Sequence, residues 1–389
     1  MTSLALAWLL LHHPASAQTC APATPGEPMR VYLLTMSPGQ ALFARFGHSV
    51  LWVSGGPLRR GLAYSWGAYD SSKEEPVAAF LAGTMHYRLD VSTVEPVLER
   101  AQRAQRIAVA QRIDLPPQAI ARLAPLLSEA GQPENRAYPY HWRDQNCATK
   151  VRDLLDLSLD GQLRASLTGP TGRTWRGEVL RHLAVHPLAW FGWNFMAAGE
   201  ADRPVDRWGG LFLPDRLREG LDAARIDGRP LVAETCVLRS GASGWAPEAQ
   251  SRGWFWTSPV GAAWAAGIGG LRARLGGALV ALLGIVAGGL GLATAFLAGT
   301  TAIDGIGWNL NWFAASPLTL ALGPAGVAYA FGRGRRAIAS LSALLAALGV
   351  VGVGVAVVGV QDTAAISALF LPPLLATAWA TRRRPAGPA

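Results

Sequence analysis

Hydrophobic and polar positions divide the chain into two parts with different patterns. Up to about residue 252, short apolar runs alternate with polar segments. Beyond that point, five long apolar segments follow one another at about residues 254–271, 275–299, 312–331, 337–360 and 364–380. The middle three are long enough to cross a bilayer as helices, and the outer two are close to the lower limit of about 17 residues. The pattern predicts a domain in water followed by an α-helical membrane bundle of about five spans.

The first 17 residues form a short apolar segment that ends in Ala15-Ser16-Ala17. A short apolar core followed by small residues is typical of a signal peptide, here with cleavage before Gln18. An uncleaved N-terminal anchor is the alternative, and either one sends the following part of the chain across the membrane. We therefore predict a signal peptide at 1–17, an extracytoplasmic domain at 18–252 and a transmembrane helical domain at 253–389.

Arginines occur in alternate connections of the apolar part. They follow the first, third and fifth apolar segments, as Arg272, Arg274, Arg333, Arg335, Arg336, Arg382, Arg383 and Arg384. The other two connections contain no Lys or Arg. The positive-inside rule then predicts a cytoplasmic C-terminus and an extracytoplasmic first domain, in a multi-pass protein of the cytoplasmic (inner) membrane.

The segment "GIGWNLNWFAASPL" is a polar cluster within the apolar part. One interpretation is a solvated loop in which Asn residues cap a helix. The other is a polar rim that faces an active site, in which Asn309 and Asn311 are candidate substrate-binding residues. Both interpretations place the segment on the extracytoplasmic side.

The formal net charge of +9 does not indicate a nucleic-acid partner. Residues 253–389 hold eight Arg and two Asp and so carry +6, which leaves +3 for the longer first part. That part contains no run of Lys and Arg with interleaved aromatic residues. We expect no nucleic acid to bind and take membrane lipid as the expected partner.

The start of the first part has the pattern of antiparallel strands. "RVYLLTM", "GHSVLWV" and "RGLAYSWGAYD" are rich in β-branched and aromatic residues and are separated by turn-forming residues. On the second strand, His48, Val50 and Trp52 share one face. From residue 91 to 130, apolar residues spaced three and four apart predict mostly helix.

A further helix is marked by Val151, Leu154 and Leu155, with Asp144 or Asn146 as its N-cap. Cys147 then lies in the first helical turn. There the helix dipole lowers the pKa of a thiol, and the exposed backbone N–H groups can stabilise an oxyanion.

Cys147 and His48 are therefore candidates for a nucleophile and its general base. The alternative is a buried thiol together with a core histidine bonded to the backbone. No spacing of His, Cys and Asp resembles a zinc site, and we expect neither a metal nor a cofactor. Of the other two cysteines, Cys20 and Cys236 flank the first domain; one hypothesis joins them in a disulfide, and the other leaves all three reduced.

Several blocks of the sequence resemble the extracytoplasmic domain of the Lnb family, which are membrane-bound lipoprotein intramolecular transacylases. These blocks are "LTMSPGQALFARFGHSVLWV", "YSWGAYD", "FLAGTMHYRLD", "ENRAYPYHWRDQNCATKVRDLL" and "WGGLFLPDRL". "WNLNWFAASPL" is similar to the Asn-containing loop in that family's membrane part. The resemblance implies an α+β fold with a permuted papain-like (NlpC/P60-type) antiparallel-sheet domain, in which His48 is the base and Cys147 the nucleophile.

The resemblance also implies a reaction. An acyl chain leaves the diacylglyceryl group of a lipoprotein, forms a thioester on Cys147, and passes to the N-terminal amine of the lipoprotein. The competing hypotheses are a papain-like cysteine peptidase or amidase that acts on cell-wall peptide, and a non-catalytic membrane scaffold.

One position departs from the family pattern, which has Asn in the second block where this chain has Ser65. We expect Ser65 to orient His48 less directly, through water, with Asp70 and Tyr64 as alternatives. Tyr64 and Trp66 are further expected substrate-binding residues. Asn146 is an expected contact of the ester or its carbonyl.

Overall fold

The computed structural model of the chain describes residues 20–69, 75–248, 254–270 and 273–383. The predicted signal peptide at 1–17, and also Asp70, Arg272 and Arg384, lie outside these residues. The chain forms two compact units. The sheet unit comprises Met1–Tyr69, His86–Thr168 and Arg207–Ala246, and the span unit comprises Asp70–Met85, Gly169–Asp206 and Pro247–Ala389. Two internal segments that the sequence assigned to the first domain thus pack with the C-terminal helices.

The secondary structure alternates strands and helices up to β11 and is helical after it. The strands are β1 (Arg30–Met36), β2 (His48–Ser54), β3 (Leu62–Ala68), β4 (His86–Ser92), β5 (Ala108–Ile113), β6 (Ala137–Pro139), β7 (Pro170–Thr174), β8 (Pro204–Asp206), β9 (Arg225–Ile226), β10 (Arg229–Pro230) and β11 (Val232–Arg239). The α-helices are α1 (Pro76–Ala82), α2 (Val94–Arg103), α3 (Pro117–Ala130), α4 (Cys147–Ser158), α5 (Gln162–Ser166), α6 (Trp175–Leu183), α7 (Pro187–Met196), α8 (Arg207–Gly210), α9 (Pro214–Ala223), α10 (Trp254–Gly270), α11 (Ala273–Thr300), α12 (Leu322–Ala330), α13 (Arg335–Val357) and α14 (Ala364–Arg383).

The sheet unit is built on a seven-stranded antiparallel sheet in the order β11-β5-β1-β2-β3-β4-β6. Side chains alternate between its two faces, as strand geometry requires. On one face, Leu51 and its neighbours pack with Val151 and Leu155 of α4. On the other, Val50 and Trp52 pack with residues of α2. The three strands that the sequence predicted at the start of the chain are confirmed as β1, β2 and β3.

The prediction of mostly helix from residue 91 to 130 is wrong in its centre. Helices α2 and α3 occupy the two ends of this range, but Ala108–Ile113 forms β5. This strand lies inside the sheet, between β1 and β11. Its apolar residues fit a helical spacing locally, and only pairing with two distant strands makes the segment extended.

The span unit contains four segments that are long and apolar enough to cross a membrane, counted among the described residues. They are Arg274–Thr300, Leu310–Ala330, Arg335–Val357 and Ala364–Arg383. The fifth predicted span corresponds to α10, a helix of 17 residues that packs along α14. Its crossing of the membrane stays a prediction.

The segment Leu310–Ala330 is not one continuous α-helix. It begins with two 3-10 turns, Leu310–Phe313 and Pro317–Ala321, and becomes α-helical only at α12. Two glycines of α11 let this irregular backbone approach closely. A Cβ atom at Gly284 would collide with the backbone N of Gly323, and one at Gly288 with the backbone N of Leu320. Small residues at such contacts are typical of helix packing within a membrane.

The hypothesis of a disulfide between Cys20 and Cys236 is confirmed. The bond joins the start of the sheet unit to β11 and encloses 216 positions of sequence, which restricts the unfolded chain strongly. Both sulfurs are therefore unavailable as metal ligands, although Glu234 lies beside them. Cys147 is left as the free thiol of the described chain.

Candidate active site

Glycine at position 47 fixes the start of the strand that carries His48. Gly47 has a φ of 81°, which L-residues with a Cβ rarely adopt. A Cβ there would also lie 2.9 Å from the carbonyl oxygen of Met36 and 3.3 Å from the Cβ of Pro214. The glycine in "FGHS" is therefore required for steric reasons, because the chain passes from a 3-10 turn into β2 within one residue.

Strands β2 and β3 separate near His48. Their pairing runs from Leu51↔Tyr64 to Val53↔Leu62, although β2 begins at His48. Past this ladder, the backbone N–H of Ser49 donates a hydrogen bond to the sulfur of Cys147. The thiol therefore contacts the residue that follows His48.

Cys147 lies in the first turn of α4, as the sequence predicted, and is its first residue. Of the two predicted N-cap candidates, Asn146 is the N-cap and Asp144 is not. Oδ1 of Asn146 accepts from the N–H groups of Ala148 (2.9 Å) and Thr149 (3.0 Å), while Oγ1 of Thr149 accepts from the N–H of Asn146. This is a capping box. It fixes the helix start at Cys147 and so fixes the position of the thiol.

The remaining donors of Asn146 are engaged as well. Its Nδ2 donates to the carbonyl oxygens of Trp142 (2.8 Å) and Phe212 (3.1 Å). The amide is buried and ties α4 to the segment that follows α8. Contact of Asn146 with an ester stays a prediction, and it would require the amide to leave these partners.

Ser65 bonds to His48 directly. Its Oγ lies 2.8 Å from Nε2 of the imidazole, so the water-mediated contact that the sequence suggested is not needed. The alternation along β3 places Ser65 between Tyr64 and Trp66, both of which pack in the core on the α4 side. Contact of Tyr64 and Trp66 with a substrate stays a prediction.

The imidazole also packs on Gly67. A Cβ at this position would lie 2.8 Å from Cε1 of His48, so only glycine leaves room for the ring. No hydrogen bond joins the sulfur of Cys147 to the imidazole among the described residues. They are linked to adjacent residues of β2: the imidazole of His48 bonds to Ser65, and the N–H of Ser49 bonds to the sulfur of Cys147.

Both groups are neutral at pH 7. The pKa of His48 is lowered to about 3, mainly by burial and in addition by the cationic Arg106 and Arg100. Burial raises the pKa of the Cys147 thiol, and this outweighs the N–H of Ser49, Arg106 and the first N–H groups of α4, which lower it. The expectation that the helix dipole lowers the thiol pKa is therefore wrong for the net shift, because desolvation is the larger effect.

Arg106 is a residue that the sequence did not single out. Its Nε donates to the carbonyl oxygen of Ser37 at 2.5 Å and its Nη2 to that of Met36 at 3.4 Å, at the end of β1. Burial lowers its pKa to about 10, so it stays a cation at neutral pH. Its charge acts on both His48 and Cys147, and it supplies the positive field of the site.

Several tyrosine side chains pack together close to the thiol of Cys147. Tyr87 of β4 lies opposite Tyr138 of β6, and its ring centroid is 4.5 Å from that of Tyr140 and 5.7 Å from that of Tyr69. Burial and the nearby Cys147 raise the pKa values of Tyr87, Tyr138 and Tyr140. Nζ of Lys150 lies 4.8 Å from the centre of the Tyr138 ring. The block "AYPYHWRDQNC" contains Tyr138, Tyr140 and Cys147, but these residues lie close to Tyr87 only because β4 pairs with β6.

Three buried hydroxyls of the sheet unit have no hydrogen-bond partner in the described chain: Thr35 Oγ1, Ser49 Oγ and Tyr138 Oη. Thr35 and Ser49 are cross-strand neighbours on β1 and β2. Unpartnered buried polar atoms are rare in folded proteins and call for an explanation. In this protein they occur in the same unit as the free thiol of Cys147 and the titratable groups whose pKa values are shifted.

The span unit holds the other two predicted site residues, Asn309 and Asn311, as buried side chains. Nδ2 of Asn309 donates to the carbonyl oxygens of Phe195 (2.7 Å) and Met196 (3.0 Å), and its Oδ1 accepts from Gln361 (2.7 Å). Nδ2 of Asn311 donates to Phe195 at 3.1 Å. Asn309 also caps the first 3-10 turn, which confirms that an Asn of this segment has a capping role. The expectation that these Asn residues lie in a solvated loop is wrong, because both side chains are buried. A role in substrate binding stays a prediction.

The fold and the site define a membrane protein whose antiparallel α+β domain carries a half-buried free Cys and a His–Ser pair. The model of the Lnb N-terminal periplasmic domain matches residues 23–180, a range that includes His48, Ser65 and Cys147. No curated protein and no solved structure matches the chain. Residues 23–180 form an Lnb-like periplasmic domain, as the sequence motifs suggested. Together with the four candidate spans of the described chain, this match suggests a multi-pass protein of the inner membrane with a periplasmic domain.

Proposed function

We propose that the protein is a membrane-bound thiol acyltransferase with a permuted papain-like, NlpC/P60-type catalytic domain on the extracytoplasmic side. It moves an acyl chain from the diacylglyceryl group of a lipoprotein to the N-terminal amine of that lipoprotein. Cys147 carries the chain as a thioester between the two steps, His48 is the general base, and Ser65 orients His48.

One observation carries this proposal. Inside the segment that matches the Lnb domain, the free thiol of Cys147 starts α4 and accepts a hydrogen bond from the residue next to the His48–Ser65 pair. A nucleophile, a base and a group that orients the base are the parts that covalent catalysis requires. The apolar helices support the proposal that the substrate is itself held in a membrane.

In the proposed mechanism, neutral His48 carries its proton on Nε2. When Nε2–H of His48 donates to Oγ of Ser65, the unprotonated nitrogen is Nδ1, which accepts the proton of the Cys147 thiol. Because both groups are neutral at rest, this transfer accompanies the attack on the substrate rather than preceding it. The low pKa of His48 also means that the imidazolium returns its proton readily to the leaving group.

In the first half-reaction, the sulfur of Cys147 forms a bond to the ester carbonyl carbon of the diacylglyceryl group. The N–H groups at the start of α4 and the charge of Arg106 stabilise the developing oxyanion. The carbon–oxygen bond breaks, and the glyceryl oxygen takes the proton from His48. The products are an acyl thioester on Cys147 and a lyso-lipid hydroxyl.

In the second half-reaction, the neutral N-terminal amine of the lipoprotein attacks the thioester carbonyl. The carbon–nitrogen bond forms and the carbon–sulfur bond breaks. His48 takes the proton from the nitrogen and returns it to the sulfur. The thiol is regenerated, and the lipoprotein leaves as an N-acyl lyso form.

The test uses the full-length protein in nanodiscs with a synthetic diacylglyceryl lipopeptide. Transfer within one molecule leaves the total mass unchanged, so tandem mass spectrometry follows the acyl chain to the N-terminal fragment. We expect wild type to form this isomer, and Cys147→Ser and His48→Gln to form none. The control is His86→Gln, which alters an exposed histidine of β4 and should keep wild-type turnover.

Two other results would replace the proposal. Hydrolysis of a peptide bond, seen as a gain of one water with both acyl chains in place, would assign a cysteine peptidase. A lipopeptide that wild type leaves unchanged under conditions where the protein is folded would contradict transacylation.

A further inference from the structure

Helix α7 has no charged residue, and yet part of it is strongly exposed. Its sequence is PLAWFGWNFM. Leu188 is 89% exposed, and Val185 just before the helix is 63% exposed. A short surface helix of a soluble domain normally turns polar residues outward. This helix instead leaves apolar side chains uncovered within the span unit.

The remainder of α7, from Trp190 to its C-terminal end, packs against the apolar helices of the same unit. Phe195 belongs to a core that contains Val280 of α11 and Phe370 of α14. The ring of Trp190 lies 5.6 Å from that of Trp256 at the start of α10, in an edge-on arrangement. Helix α7 is thus packed on the apolar helices of the span unit, while its N-terminal end, with Leu188, is left exposed.

The C-terminal end of α7 is fixed by side chains from connections between these helices. Asn309 and Asn311 donate to the carbonyl oxygens of residues 194–197, and Nε2 of Gln361 donates to that of Ala197. Buried Arg176 donates to Asn194 and Ala197 as well. These bonds satisfy the carbonyls that a helix end leaves open.

The side of the membrane on which these connections lie determines where α7 is held relative to the bilayer. Asn309 lies in one connection without Lys or Arg, Asn311 lies at the start of the candidate span that follows it, and Gln361 lies in the other connection without Lys or Arg. The positive-inside rule assigns both connections to the outer surface of the membrane. Helix α7 is therefore held at the outer ends of the spans.

We propose that α7 is an interfacial helix that lies in the outer leaflet of the bilayer, with Val185 and Leu188 in contact with lipid chains. An apolar helix face at this depth is covered by lipid, and burial of its side chains stabilises that position. Trp190 and Trp256 lie at the level where tryptophan is enriched in membrane proteins. Because α7 has no charged residue, the contact does not depend on anionic lipid.

The test places an environment-sensitive fluorophore at single cysteines in the full-length protein. The background is Cys147→Ser with the Cys20–Cys236 disulfide intact. Probes are attached at Leu188→Cys and Val185→Cys, and the control is Val237→Cys, a residue of β11 with 62% exposure. The proteins are placed in nanodiscs of neutral phospholipid, with and without lipids that carry a nitroxide on the acyl chain.

We expect blue-shifted emission at 185 and 188 and at least twofold quenching by the nitroxide lipids, but neither effect at 237. Replacement of a third of the lipid by an anionic phospholipid should leave the quenching unchanged. Equal emission and quenching at 188 and 237 would overturn the proposal, whether both probes are quenched or neither is. Size-exclusion profiles and the intact disulfide show that each labelled variant is folded.

Discussion

Two buried polar clusters, one in each unit, differ in how their polar atoms are used. Around Asn309, the side-chain amides are bound to backbone carbonyls and to Gln361, with Oδ1 of Asn311 the one atom there without a partner among the described residues. Around Cys147, buried hydroxyls lack partners and titratable groups have shifted pKa values. Both clusters contain residues that the sequence proposed for the site.

The difference separates a structural role from a chemical one. A polar group whose hydrogen bonds are complete contributes to stability and has nothing left to offer a substrate. Unpartnered polar atoms and shifted pKa values, in contrast, collect at functional sites. We therefore expect the chemistry at the Cys147 cluster, while contact of Asn309 and Asn311 with a substrate stays a prediction.

The largest expected effect concerns the reactivity of Cys147 with pH. Because burial raises the pKa of its thiol, the thiolate fraction should rise about tenfold per pH unit, or about 1,000-fold between pH 5 and 8. The rate of alkylation by iodoacetamide, followed by intact mass, measures this fraction. A rate that is constant between pH 5 and 8 would instead indicate a thiolate–imidazolium pair at rest.

The next largest effect is expected for Gly67→Ala. The added Cβ would lie 2.8 Å from Cε1 of His48 and must displace the ring. We expect kcat to fall about 100-fold, since small displacements of a catalytic group have effects of this size. The matched control is Gly244→Ala, which adds a Cβ in open space. Equal activity of the two variants would remove His48 from the mechanism.

A smaller effect is expected for Ser65→Ala. The variant loses the hydrogen bond to Nε2 of His48, which should lower kcat about tenfold and leave KM nearly unchanged. Ser65→Asn restores a side chain that can accept from the imidazole and should recover part of the loss. A Ser65→Ala variant with wild-type kcat would show that Ser65 only packs beneath the ring.

The smallest effect on catalysis is expected for Asn309→Ala. The loss of bonds to the carbonyls of α7 should lower the free energy of unfolding by about 1–3 kcal/mol. The kcat per folded molecule should stay within about twofold of wild type. Asn135→Ala, which removes an exposed Asn, is the control for stability. A large fall in kcat without loss of stability would place Asn309 at the substrate instead.

Local patterns predicted the parts of the site that depend on local structure. The start of α4 at Cys147 follows from an Asn-Cys-Ala-Thr capping box, and the start of β2 follows from Gly47. Both features are determined by three or four consecutive residues. The direct bond of Ser65 to His48, in contrast, depends on where β2 and β3 separate, which no short motif encodes.

Long-range packing decided the parts that local patterns missed. Strand β5 is extended because it pairs with β1 and β11, although its residues fit a helical spacing. Arg106 reaches the site because it immediately precedes that strand region and bonds to the end of β1. The apolar run at 312–331 predicted a span, but its length could not show the two 3-10 turns at its start.

The covalent intermediate tests the central claim most directly. The full-length protein in nanodiscs is incubated with a diacylglyceryl lipopeptide whose N-terminal amine is acetylated, so that the second half-reaction has no acceptor. We predict that intact-protein mass spectrometry finds one fatty-acyl group, that peptide mapping places it on Cys147, and that neutral hydroxylamine removes it. Wild-type protein that releases lyso-lipopeptide while Cys147 stays unmodified and alkylatable throughout would contradict the account.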